Sequence, residues 1–235
     1  MTTIIKGTYI VGPDLVSNGL VMHLDAANVK SYAPSATTWI DITNNNYNGA
    51  LYSGITFNSD NKGSLYLNGT SYIEILNSES DFNLPVLTYS GWLKNTSGSL
   101  FWDRVMSKKL NYTDNNGYEI SLATGTDSTL YIGGSSGTFG TITGINWINS
   151  GWHNLVIIFS GSTVSAYIDN SYKGQANIAS IQPNSRTLKL GRIDGEIGLT
   201  QWRGNMAHIM IYNRALTASE ISQNYYSLKS RFNKA

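Results

Sequence analysis

Glycoside hydrolysis needs two carboxylates about 5–10 Å apart, one acting as acid and the other as nucleophile or base. Glu79-Ser80-Asp81 offers a pair at i and i+2, but Asn83 and Leu84 stand where a further glutamate would complete the set. The surrounding stretch NSESDFNLP reads as a loop, whereas a catalytic pair on a strand relies on alternate residues sharing one face. A sugar-cleaving enzyme is therefore the weakest of three functional readings. Gly133-Gly134-Ser135-Ser136-Gly137 matches Gly-x-Ser-x-Gly as a string. The nucleophile version of that string needs a strand, a sharp turn and a helix. The following TFGTITG is a poor helix former, so the segment reads as a plain turn. His23, His153 and His208 lie far apart along the chain without ligand spacing, and each is expected to be a structural histidine in an apolar strand. There is no nucleotide-binding loop and no calcium loop of the EF-hand type. Three Asn-x-Ser/Thr triplets, at Asn68, Asn95 and Asn111, are unsurprising among 25 Asn and imply no glycosylation.

What remains is binding chemistry. A sugar ring presents C–H groups on one face and hydroxyls at its edge, so it is held by an aromatic platform with amide or carboxylate partners. The stretch from Trp102-Asp103 to Tyr112, Asp114, Asn115 and Asn116 supplies all of these in a loop-like context, and these six residues form the candidate carbohydrate site. An ordinary polar loop with core-packed aromatics is the competing reading, and Trp147 and Trp202 carry the same two alternatives.

These residues need a scaffold, and the composition bounds it. Of 235 residues, 41% are hydrophobic, enough for a sizeable core, and only 13% are charged. Asn, Ser and Thr together number 74, so the surface is wetted by amides and hydroxyls. A net charge of +1 gives no long-range field to attract nucleic acid or an anionic membrane. Cys is absent, which excludes a disulfide framework and a Cys-ligated metal. No apolar run approaches the roughly 20 residues of a membrane span. The start, MTTIIKGTYIVGPDL, lacks the features of a secretory signal.

Alternation with a period of two recurs at Leu20–Leu24, Leu65–Leu67, Tyr72–Leu76, Leu87–Leu93, Tyr118–Leu122, Thr129–Gly133, Leu188–Leu190 and Met206–Tyr212. Asn154–Phe159 and Thr163–Ile168 form a hairpin around Ser160-Gly161-Ser162, and Asp169-Asn170 makes the next turn. The pattern predicts ten to twelve strands in an all-β, antiparallel two-sheet sandwich. Thr217-x-x-Glu220 is a capping box that opens a short C-terminal helix, with Leu216 placed to staple onto Ile221. Arg214 carries a fork of donors suited to an acidic partner or free carbonyls. The expected organisation is an N-terminal arm over 1–17, either an extra edge strand or a strap to a neighbouring subunit, then a jelly roll over 18–216 and a helix and tail over 217–235.

The later half then becomes familiar. GWHNLVIIFSGSTVSAYIDNSYKG (151–174), LKLGRIDG (188–195) and WRGNMAHIMIYNRALTASEI (202–221) resemble the closing strands of laminin-G-like jelly rolls of the concanavalin A-like lectin/glucanase superfamily. LYLNGTSYIEI (65–75) and LTYSGWLK (87–94) are similar to its earlier strands. Met206-Ala207-His208-Ile209 replaces the family's Ile-Asp-Glu-Val. That loss of a carboxylate pair argues against the structural calcium of some members, and no obligatory metal or cofactor is expected. The stretch 17–69 and the ending EISQNYYSLKSRF (220–232) resemble the version found in structural proteins of large tailed bacteriophages. That resemblance implies a non-catalytic virion protein, an exterior capsid, neck or fibre decoration made in the host cytoplasm. Its partners would be other virion proteins, further copies of itself and, weakly, host surface glycans, without nucleic acid or membrane insertion. A stand-alone carbohydrate-binding, lectin-like module is the second reading.

Overall fold

Strands form wherever β-branched and aromatic residues alternate with small polar ones, because each such run can bury one face and wet the other. The computed structural model of the chain describes residues 13–96, 102–123, 129–134, 137–145, 147, 151–195 and 201–234. Most of the N-terminal arm (1–12), Ser135 and Ser136 of the Gly-rich turn, and residue 235 lie outside the described residues.

Sixteen strands are present among the described residues, more than the alternation predicts. They are β1 (Leu20–Asp25), β2 (Thr38–Trp39), β3 (Gly49–Tyr52), β4 (Thr56–Asn58), β5 (Ser64–Asn68), β6 (Tyr72–Ile75), β7 (Val86–Asn95) and β8 (Trp102–Ser107). The later ones are β9 (Glu119–Ala123), β10 (Thr129–Gly133), β11 (Phe139–Ile142), β12 (His153–Ser160), β13 (Thr163–Ile168), β14 (Ser171–Asn177), β15 (Leu188–Leu190) and β16 (Arg203–Tyr212). Two antiparallel sheets result. The first runs β14-β13-β12-β7-β16-β5-β4, with β1 also paired to β16, and the second runs β11-β10-β9-β8-β15-β6-β3-β2. β16 is the hub of the first sheet. It pairs with β7 along one side, and with β5 and then β1 along the other.

The inner faces meet in one core. Leu65, Leu87, Tyr89, Leu155, Ile157, Ile209 and Ile211 come from the first sheet, and Ile73, Ile75, Ile120, Leu122, Leu188 and Leu190 from the second. Trp147 and Trp202 are buried in the same cluster, which settles their two alternatives in favour of packing.

The outer face of the first sheet is also greasy, and α1 (Ala218–Leu228) covers it. Ile221 packs with Leu216, Met210, Tyr212 and Val156, so the expected staple is present. Trp92, on the outer face of β7, lies flat between the Phe232 ring at 4.2 Å and the Tyr225 ring at 5.6 Å. Residues 13–17 form no strand. They lie along α1, where Asn224 Oδ1 accepts from the Val16 N–H at 2.9 Å and the Ser227 hydroxyl donates to the Pro13 carbonyl. Among the described residues no helix is long and apolar enough to cross a membrane.

Candidate functional site

With α1 on the first sheet, the second sheet carries a cross-strand row of polar side chains, of which Glu74 stays partly exposed while Lys189, Ser107 and Glu119 are buried. Cross-strand register sets Glu74 of β6 opposite Lys189 of β15, Lys189 opposite Ser107 of β8, and Ser107 opposite Glu119 of β9. Lys189 Nζ bridges Glu74 at 3.2 Å and Asp194 at 2.8 Å. Burial alone would raise the Glu74 carboxyl, but the Thr187 hydroxyl and the Lys189 ammonium hold it below the ordinary carboxylate range. Arg186 continues the chain of charges, 3.1 Å from Asp194 and 3.9 Å from Asp114.

At the end of this face, where β8 runs into the 108–118 loop, a cleft of about 540 Å³ opens. Asp114, Asn116, Arg186, Thr187, Asp194 and Asn184 are among its lining residues. Its wall is built from below. Buried Lys108 donates to the carbonyls of Glu79 and Asn184 at 2.7 and 3.1 Å, and burial lowers its ammonium to about 8. Asp114 accepts from the Leu110 and Asn116 N–H groups, which folds the loop on itself. Gly117 then turns the loop back into β9 at φ +82°, and a Cβ there would stand 2.0 Å from the Lys108 carbonyl oxygen. Only glycine fits.

Aromatic groups flank the polar row. Tyr52 and Tyr72 stack at 4.8 Å, with the Arg192 guanidinium 4.5 Å from the Tyr72 ring centre. Across the sheet, Trp102 packs on Tyr131 at 4.1 Å and stays partly exposed. The face thus combines donors (Arg186, Lys189), acceptors (Asp114, Asp194, Asn116) and ring faces, a combination that suits a ligand rich in hydroxyl groups.

The structure divides the six residues proposed from sequence. Tyr112, Asp114, Asn115 and Asn116 share the 108–118 loop, and Asp114 and Asn116 line the cleft. Trp102 and Asp103 belong to strand β8 rather than to a loop, and Trp102 sits at its far end. Asp103 is buried and accepts from Asn95 Nδ2 at 2.7 Å, tying β8 of one sheet to the end of β7 in the other. Sequence reasoning missed Asn184, Arg186 and Asp194, which line the cleft from the segments flanking β15, and Lys108 and Lys189, which support it. Glu79 and Asp81 lie in a turn, as expected. The Tyr47 hydroxyl donates to Asp81 at 2.7 Å and lowers its carboxyl, the opposite of what a general acid needs.

Two of the three histidines, without ligand spacing in the sequence, come together in space. His153 is structural, bonded to Asp169 at 2.6 Å. His23 and His208, 185 residues apart, instead meet across β1 and β16 with their Nε2 atoms 2.8 Å from each other. Asp25 stands opposite His208 in the same register, and the three side chains converge within 4.8 Å. Burial, and then the neighbouring imidazole, lowers His208 to about 3, and burial lowers His23 as well.

Two stacked antiparallel sheets with these connections define a jelly-roll sandwich of the concanavalin A-like kind. The family model Laminin_G_3, Concanavalin A-like lectin/glucanases superfamily, matches residues 67–222, and the chain belongs to that family. No curated protein matches the sequence. Among solved structures, domain 4 of AbnA, a GH43 extracellular arabinanase from Geobacillus stearothermophilus in complex with arabinotriose, superposes with a TM-score of 0.64 at 19% identity, covering 88% of this chain and 98% of that one. The receptor binding domain of botulinum neurotoxin type G gives 0.61 at 17% identity, covering 89% of this chain and 51% of that one. A Trypanosoma rangeli sialidase in complex with a difluoro-KDN gives 0.69 at 14% identity, covering 96% of this chain and 37% of that one. At these identities the likeness is one of fold, and the chain spans about half or less of the latter two.

Proposed function

We propose that this chain is a non-catalytic glycan-binding module displayed on the exterior of a tailed-phage particle, as a capsid, neck or fibre decoration. The carrying observation is the cleft of about 540 Å³ between the 108–118 loop and the Arg186–Asp194 segment. Its donors and acceptors are already fixed by one another, so a hydroxylated ligand meets a preorganised edge at small entropic cost. The arabinotriose in the arabinanase domain supports the same class of ligand. Many weak sites on one particle would multiply in effect without a strong single one. The proposed contact residues are Tyr112, Asp114, Asn115, Asn116 and Arg186, with Trp102 as an outlying platform.

The test is a glycan array followed by calorimetry on the best oligosaccharide. Arg186→Ala and Asp114→Ala should each weaken binding about tenfold, near 1.4 kcal/mol, while Trp102→Ala reports whether the ligand reaches the far end of β8. Absence of any glycan hit would remove the binding half of the proposal. Mass spectrometry of purified particles tests the other half. Copies in every particle support the virion role, and none would leave the stand-alone lectin-like module, which the same face favours equally.

A further inference from the structure

We propose that His23, His208 and Asp25 form a binding site for a late first-row divalent cation, with zinc the best fit. The site lies on the outer face of the first sheet, on the opposite side of the sandwich from the cleft, and it does not depend on the glycan reading. Three observations converge there. First, two imidazole Nε2 atoms point at each other at 2.8 Å. Between neutral rings that contact satisfies one N–H and one lone pair, but two lone pairs aimed at a common point are also half of a tetrahedral ligand set. An ion about 2.0–2.1 Å from each nitrogen asks the rings to part by about half an ångström. Second, Asp25 completes a His₂-carboxylate set. Its Oδ1 accepts from the Ala27 N–H at 3.0 Å and from Arg231 Nη1 at 2.7 Å, and its Oδ2 takes no hydrogen bond among the described residues. A carboxylate oriented through one oxygen with the other free is the outer-shell arrangement that metal ligands use. Third, His208 is buried, while half-buried His23 keeps one side of the group open to solvent, which gives an ion a way in.

The donor set decides the ion. Imidazole nitrogens suit zinc, copper and nickel, whereas calcium prefers six to eight oxygens. Three protein ligands leave a fourth position for water. The Arg231 charge beside Asp25 opposes the cation, so micromolar affinity is expected rather than the tight binding of a closed structural site.

The experiment uses the whole chain, stripped of metal by a chelator and titrated with zinc chloride by calorimetry at neutral pH, with thermal melting in parallel. One ion per chain and a rise in Tm of several degrees are expected. Cobalt(II) as a spectroscopic probe should give the visible bands of a four-coordinate nitrogen-containing site. His23→Gln and Asp25→Asn should each weaken zinc binding about tenfold or more, and His153→Gln should leave it unchanged. These variants avoid the fully buried His208, whose replacement could unfold the sheet. Zinc that fails to bind, binds equally well to His23→Gln, or is displaced by equimolar calcium overturns the proposal.

Discussion

Glu220 shows how much one side chain can settle. Its carboxylate accepts from the Thr217 N–H at 2.8 Å and takes both Nη groups of Arg214 at 2.9 and 2.6 Å, while its own N–H donates to the Thr217 hydroxyl at 3.3 Å. The Arg214 contact, followed by the Thr217 N–H, lowers the carboxyl from 4.5 to about 2. A group depressed on folding contributes stability above its unfolded value, and that contribution disappears as pH falls through the folded one. The protein should therefore lose part of its stability between pH 4.5 and about 2. Glu220→Gln should flatten that part of the profile and cost about 1 kcal/mol at neutral pH, measured by urea unfolding across the acid range. The capping box was legible because its spacing is three residues. The His23–His208 contact was not, because the register between β1 and β16 exists only once the sheet is assembled.

Among the elements, α1 earns its place by covering the outer face of the first sheet. Trp92 is its anchor, fully buried between Tyr225 and Phe232. Trp92→Ala should cost about 3–5 kcal/mol, seen as a lowered midpoint in denaturant and as binding of a hydrophobic dye to the opened face. Alternation made several strands readable, and β1, β6, β7, β12, β13 and β16 fall where the pattern puts them. β14 was not, because an edge strand reading SYKGQAN buries no residue fully and has no period to show. β8 was missed for the opposite reason. Its residues from Asp103 to Ser107 are all buried, with Arg104 paired to Glu119 at 2.7 Å, so charges that look like loop residues lie inside the structure. The cleft inherits that illegibility, since Arg186 and Asp194 reach it from the flanks of a three-residue strand.

At the scale of the whole molecule, contacts are dominated by partners distant in sequence. Loop closure must precede those contacts, which slows folding. Refolding followed by Trp fluorescence in a stopped-flow instrument should take roughly milliseconds to seconds, as for other β-sandwiches. A microsecond phase carrying the full amplitude would contradict this.

The position of β16 gives that slowness a biosynthetic meaning. A nascent chain arrested before Arg203 leaves β1 with no partner and one edge each of β5 and β7 unpaired, three unsatisfied edges waiting on one late segment. Translation must run nearly through Tyr212 before the larger layer can close. Premature stops upstream should therefore yield chaperone-bound or degraded fragments, never a smaller folded sandwich.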